Sequence, residues 1–299
     1  MAVLPDDHPT IWKKWFSGLP IRALALAKYD LWPNMLMACR AQGIPIHAYA
    51  VAPRGRRLKL ASLWGLCSTI SVQDAKAARL FQSEKLKPLV TVDGDPRIER
   101  VLNREVTTDE MLKQWSQSAT SLVVAGSTWP AEERRLLSFE WTGHRKLLLV
   151  PHDLSHAHLQ QVDKQWEDVA IRHSNWQSLE SSEQARWHAV IIDSTGLLFS
   201  LYRLADVAVI GGGFGSGLHN VLEPASAGIP IVTGPKLFAF REAEALKDLG
   251  SLRNDDFEQA LMHWLDEPES AQEFGRKARK WLESQHGASS RVVQRWSEV

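Results

Sequence analysis

The chain has 299 residues, with 35 Lys+Arg against 35 Asp+Glu, 44% hydrophobic and 23% charged, a globular composition long enough for two domains that excludes disordered, collagen-like and coiled-coil classes. The zero net charge removes the basic field by which proteins track nucleic-acid phosphates, so no nucleic-acid partner is expected. Cys39 and Cys67 are the only cysteines; without CxxC or zinc spacing they argue against a disulfide framework or structural zinc, and suit a reducing cytoplasm.

The opening MAVLPDDHPTIWKKWF carries acids and prolines where a signal peptide needs a basic and then an apolar run. No stretch approaches ~18 uninterrupted apolar residues, so the chain is expected neither to span a membrane nor to be exported by that route. Short apolar β-type runs then alternate with amphipathic helical ones, which reads as parallel α/β. Strands are predicted over 22–27, 45–51, 69–72 and 88–92, with helices over 32–41 and 74–81. The polar stretch 102–120 interrupts this rhythm and holds the predicted boundary between a partial first domain, 1–110, and a second, 118–299. Strands resume at 121–125, 145–150, 188–192, 207–210 and 229–232, enough for a complete doubly wound domain. The tail from Asp255 reads as helical, with Trp264, Trp281 and Trp296 as apolar anchors. Thirteen Trp against three Tyr suit cores first, and carbohydrate-facing or bilayer surfaces second.

The most informative string is ADVAVIGGGFGSGLHNVLEPASAGIPIV, residues 205–232, read as strand, glycine-rich turn, helix, strand. Gly211, Gly212, Gly213, Gly215 and Gly217 admit close approach of backbone N–H groups to a ligand, and a helix expected to begin near 218–220 would turn its positive end toward the turn, so an anion, most simply a phosphate, belongs there. A dinucleotide GxGxxG needs glycine at 211, 213 and 216, but 216 is Ser, and neither an acid after the next strand nor a P-loop is present. His219, Asn220 and Glu223 are spaced to share one crevice at the sheet's carboxyl edge, where Glu223 would chelate ribose hydroxyls; the alternative has Asn220 capping the helix, His219 packing and Glu223 solvated. In AGSTWPAEE, Ser127 and Thr128 close a strand before a helix, as phosphate or base ligands or as plain N-caps. PHDLSHAH places His152, His156 and His158 close together, but without the acids and ligand spacing of a metal site.

Together these strings resemble the 3-deoxy-D-manno-octulosonic acid (Kdo) transferase family. KYDLWPNML (28–36), SVQDAKAARLF (71–81), DGDPRIERV (93–101) and AGSTWPAEE (125–133) carry the likeness in the first part. VPHD (150–153), the run 191–224, AGIPIVTGP (227–235) and FREAEAL (240–246) continue it in family order. KYD and GGGFGSGLHN resemble a Bacteroidetes-like branch. The resemblance implies a GT-B arrangement of two Rossmann-like domains, the first one truncated, and an inverting transfer of Kdo from CMP-Kdo to lipid A or its precursor, without metal or other cofactor. It implies Gly211, Gly212, Gly213, Ser216, Gly217, His219 and Asn220 around the phosphate, Glu223 at the ribose and Ser127 and Thr128 at the nucleotide, with His152 on the same donor side. Asp30 would line the cleft and position the acceptor. Asp193 and Tyr202 shape the donor loop or simply hold it.

The chain departs from the family at its start. The segment that carries a membrane anchor, the first strands and a glycine-glutamate element bearing the catalytic base has no match in residues 1–27, and neither Asp6 nor Asp7 replaces it; a second chain supplying that segment would restore the base. Loss of a general base removes ~10²–10⁴-fold in rate while leaving donor binding intact. Arg54, Arg56, Arg57 and Lys59 are placed to meet lipid phosphates, with Trp12, Trp15 and Phe16 dipping into the bilayer interface, or else form a solvated loop beside a packed helix. The expected location is cytoplasmic and peripheral to the inner membrane's inner face. Two alternatives stay open: a homologue that binds a cytidine nucleotide sugar without turnover, and a GT-B transferase using a UDP- or GDP-sugar.

Overall fold

Residues 24–27 open the first of two parallel sheets in the computed structural model, which describes residues 5–28, 30–53, 60–84, 86–107, 109–142, 144–215, 217–237 and 240–297. The basic loop 54–59 and Ser216 lie outside the described residues. The chain divides into one unit of residues 1–100 with 285–299, and another of residues 101–284.

In the first unit, β1 (Leu24–Ala27), β2 (Ile46–Val51), β3 (Thr69–Val72) and β4 (Leu89–Val92) pair in parallel in chain order, the order of one wing of a doubly wound sheet. Parallel pairing requires crossovers, and caps set where the helices start. Asp74 accepts from the Ala77 N–H at 2.8 Å to begin Ala75–Ser83, and the Asp7 carboxylate accepts from the Asn34 and Met35 N–H groups at the start of Pro33–Ala41. Asp7 also accepts from the Trp12 indole at 2.8 Å. That anchor corrects the interfacial reading of IWKKWF: Trp12 and Phe16 are buried in the core with Leu36, Ile46, Ile70 and Phe81, so only Trp15 is partly exposed.

The helix Ala288–Ser297 belongs to this unit rather than to the second domain. Its Trp296 ring lies 5.6 Å from His47 and 5.8 Å from Tyr49. Arg291 donates to the Asp93 carbonyl at 3.1 Å, and Arg295 stands 3.8 Å from the buried Asp93 carboxylate. Charge pairing thus ties the chain's last helix to the end of β4.

The second unit holds seven strands: β5 (Ser121–Thr128), β6 (Arg145–Pro151), β7 (Ala170–Arg172), β8 (Ala189–Ile191), β9 (Val207–Ile210), β10 (Ile231–Thr233) and β11 (Leu252–Arg253), ordered β11-β10-β9-β5-β6-β8-β7. The central strands are buried apolar runs, as expected of a sheet covered on both faces. β7 and β11 are the two edges, three and two residues long, too short for an alternation to show in sequence. Residues 101–117, where the domain boundary is expected, join this unit, because Asp109 caps Glu110–Gln117 and that helix buries Leu112 and Trp115. Trp12, Trp64, Trp115, Trp141, Trp166, Trp176 and Trp264 are all buried, so core packing accounts for most of the tryptophan excess. No described helix is long and apolar enough to cross a membrane.

Candidate functional site

Strand order in the second unit reverses between β5 and β9: β6, β8 and β7 follow on one side, β10 and β11 on the other. Ligands of open α/β sheets settle at the carboxyl ends of the two strands flanking such a reversal. The final β5–β9 pair is Gly126 with Ile210. Beyond it run the two strings singled out above, Ser127–Trp129 and Gly211–Gly217.

These turns are packed to contact. The Gly211 N–H donates to the Gly126 carbonyl at 3.0 Å, and a Cβ on Gly211 would overlap the Ser127 carbonyl. Gly213 lies so close to Thr233 and Gly234 that it too has no room for a side chain. Gly212 at φ +88° and Gly217 at φ +102° supply the left-handed backbone the turn requires. Across the strand end, Gly126 makes space for the hydroxyl of the buried Tyr202.

The turn does not present a ring of open N–H donors. The Gly215 and Gly217 N–H groups donate to the Gly212 carbonyl, and that of His219 to the Gly211 carbonyl. The Gly212 N–H donates to Glu132 Oε1 at 3.0 Å. The helix also begins later than expected, at Leu222, and runs only to Ala227: Asn220 Oδ1 accepts from the Leu222 N–H at 3.0 Å, which holds residues 218–221 outside it. The expected helix start over the turn is therefore corrected, and the turn holds its own shape by hydrogen bonds directed inward.

Two carboxylates beneath the turns do the holding. Glu132, with no exposed surface, accepts from the Gly212 and Trp129 N–H groups at 3.0 and 3.1 Å, joining the end of β9 to the end of β5. Burial pushes its carboxyl above the ordinary range, opposed by those backbone donors. Glu133, 1% exposed, accepts from the Thr128 hydroxyl at 3.2 Å and faces His158 Nε2 at 3.1 Å. Thr128 Oγ1 thus serves the interior and is not turned to a nucleotide. Ser127 sits at φ +53°, its carbonyl against Gly211.

Over this floor three rings gather. His152 lies tilted 4.8 Å from Trp129 and 4.4 Å from His219, and the Trp129 indole N–H donates to His219 Nε2 at 3.0 Å. Burial, with His152 nearby, pushes the His219 pKa down. Of the three residues expected to share a crevice, His219 joins the rings, Asn220 Oδ1 accepts from the Leu222 N–H, and Glu223 Oε1 pairs with Arg104 at 3.5 Å. Asp193 accepts from the Ser174 N–H and hydroxyl at 3.2 and 2.5 Å. Asp30, in the other unit, is exposed just beyond β1, its N–H toward the Ala27 carbonyl at 3.4 Å. Among the described residues no group of three His, Cys, Asp or Glu is arranged to hold a metal ion.

Trp129, Glu132 and Glu133 carry no sequence-level prediction of their own, although all three stand in AGSTWPAEE. The available signal was two acids in the first turn of a helix opened by Pro130, a pattern that normally means capping. Here the capping carboxylate also reaches the next turn.

A family model described as "3-Deoxy-D-manno-octulosonic-acid transferase (kdotransferase)" matches residues 1–100. Over 98% of its length the chain is 27% identical to the 3-deoxy-D-manno-octulosonic acid transferase of Bordetella pertussis, covering 72% of that protein. It is 23% identical to the Haemophilus influenzae protein of the same name, covering 97% of this chain and 72% of that one. Among solved structures, an α,α-trehalose-phosphate synthase from Burkholderia xenovorans aligns with a TM-score of 0.60 at 15% identity, over 97% of this chain and 75% of that one. That likeness is one of fold, the GT-B glycosyltransferase class.

Proposed function

Since the chain belongs to the 3-deoxy-D-manno-octulosonic acid (Kdo) transferase family, we propose that it is an inverting glycosyltransferase that moves Kdo from CMP-Kdo to lipid A or its precursor. The observation that carries this reading is the meeting of Gly126–Trp129 and Gly211–His219 at the reversal of strand order, the position where an open α/β sheet takes a nucleotide.

In this reading the acceptor hydroxyl attacks the anomeric carbon, the bond from that carbon to the phosphate oxygen breaks, and CMP leaves with the bonding pair. Charge grows on the phosphate, and the turn 211–219, already held in shape by its own inward hydrogen bonds, meets it without reorganising; Gly213 and Ser216 are assigned to this contact. We assign the leaving group's stabilisation to this turn rather than to a cation, so turnover is expected to survive EDTA. The nucleotide lies beside Ser127, Thr128 and His152, and Glu223 exchanges Arg104 for the ribose hydroxyls. Thr128 contributes through its backbone, since its hydroxyl is held by Glu133. Asp30 positions the acceptor, a lipid at the inner membrane's cytoplasmic surface where the protein would be peripheral. We propose that a second chain supplies the family's glutamate base, which takes the proton of the attacking acceptor hydroxyl.

Calorimetric titration with CMP and CMP-Kdo against UDP and GDP tests the donor. CMP-selective binding, lost in Glu223→Ala and in Gly212→Ser, is the expected result; a Gly212 side chain would overlap the Gly217 carbonyl. Preference for UDP or GDP would move the chain to another GT-B transferase. Binding of CMP-Kdo without transfer, even with a family N-terminal segment added, would leave a donor-binding homologue.

A further inference from the structure

Trp129 occupies a place for which the proposed chemistry has no stated use. Its main-chain N–H is held by Glu132 Oε2 at 3.1 Å, and its indole N–H donates to His219 Nε2 at 3.0 Å. An indole nitrogen can donate but never accept, so this contact requires a lone pair on Nε2 and places the imidazole hydrogen on Nδ1. The ring is confined on its other sides. His152 lies tilted against it at 4.4 Å, and Gly212, whose N–H is bound to the Glu132 carboxylate, has its open Cβ position 3.3 Å from His219 Cδ2.

We propose that Trp129 is a positioning residue that fixes His219 as a neutral imidazole with its hydrogen on Nδ1, presented as a hydrogen-bond donor to an anionic oxygen of the bound nucleotide. The groups around the ring favour the uncharged form: a second imidazole, His152, faces it, and burial removes water from it. Neutrality has a use. A nucleotide sugar's phosphodiester carries one negative charge, whereas the nucleoside monophosphate product carries nearly two near pH 7. A cation at this position would grip product harder than substrate, while a neutral donor meets the developing oxyanion with less penalty on release. This inference rests on the donor reading above, and its test separates the two.

Two-bond ¹H–¹⁵N correlation spectra of the histidine-labelled full chain report the tautomer directly, with His219→Asn identifying the resonance among the 11 histidines. The expected wild-type pattern is hydrogen on Nδ1 of His219 in the absence of ligand. Trp129→Phe keeps an aromatic ring but removes the N–H; it should abolish the single-tautomer pattern and weaken CMP binding roughly tenfold, the scale of one hydrogen bond. His219→Asn offers an amide N–H in place of Nδ1–H, and in that background Trp129→Phe should cause no further loss, because Trp129 acts only through the imidazole. Circular dichroism of each variant separates misfolding from lost binding; should Trp129→Phe not fold, the wild-type tautomer and its response to saturating CMP decide the question. Hydrogen on Nε2 in the wild type overturns the inference, as does an equal loss from Trp129→Phe in both backgrounds or a His219 spectrum indifferent to CMP. Failure of the wild type to bind CMP, with the Nδ1–H pattern intact, overturns the donor reading and the assigned role together while leaving the indole–imidazole geometry standing.

Discussion

The two sheets finish their strands in different ways. In the first unit β1 to β4 follow one another in chain order, so no two neighbouring strand ends send their connections to opposite sides. The polar residues at the end of β4 are spent on structure: Asp93 is met by Arg291 and Arg295, and Asp95 by Arg97 at 2.5 Å and by Gln73 at 2.7 Å. In the second unit the order reverses at β5 and β9, and the acids there, Glu132 and Glu133, bind backbone N–H, hydroxyl and imidazole, with no guanidinium partner among the described residues. An acid paired with arginine ties a helix down. An acid paired with backbone N–H groups sets the curvature of a turn, which is what a recognition loop needs.

The contrast can be broken most severely at the glycines. Gly211→Ala and Gly213→Ala drive a Cβ into backbone, and each should cost about 4 kcal/mol or more, or prevent folding of the second unit. Gly215→Ala, with nothing within 4 Å of its Cβ, should stay within about 0.5 kcal/mol. Urea denaturation of the three variants decides this.

Next in size, Glu132→Ala leaves the Gly212 and Trp129 N–H groups without their acceptor, at about 1–3 kcal/mol for each. Its pH dependence has a definite sign. Burial raises the folded-state pKa of Glu132, so the unfolded chain gives up that proton first. Wild-type stability relative to Glu132→Ala should therefore be greatest below the ordinary carboxylate range and shrink as pH rises through the folded value. A gap that widened toward neutrality would contradict the buried-carboxylate reading.

In the first unit, Arg295→Ala weakens the hold on Asp93. Because Arg295 is a third exposed, the loss should reach no more than about 3 kcal/mol, the lower end for a broken buried pair. It should appear in thermal melts with CMP affinity unchanged. Smallest is Arg104→Ala. Its pair with Glu223 is half exposed, worth at most about 1 kcal/mol. Removal should leave stability almost untouched and tighten CMP binding up to about fivefold by taking away one partner that competes for Glu223, measurable by calorimetry.

Element positions were legible because composition and turn signals agreed: 69–72 and 207–210 are short runs rich in β-branched residues, and the structure places β3 and β9 at those residues. The glycine string was legible for the same local reason, since only glycine fits Gly211 and Gly213. What each turn does with its donors was not, because Glu132 lies 80 residues from Gly212 and no local pattern carries that separation. Residue type leaves Thr128 and Asn220 open between ligand and cap, because a hydroxyl or amide serves interior and ligand equally well. The fate of Trp12 turned on Asp7, five residues away, whose carboxylate gives the indole N–H a partner inside the fold.

The return of the helix Ala288–Ser297 to the first sheet has a consequence for biogenesis. Residues 101–284 form one uninterrupted stretch, so the seven-stranded unit closes by contacts within that stretch alone. The four-stranded unit, begun first, must wait for Arg291, Arg295 and Trp296 to cover the end of β4 and the ring of His47. The unit whose strands come first in the sequence is thus the one completed last.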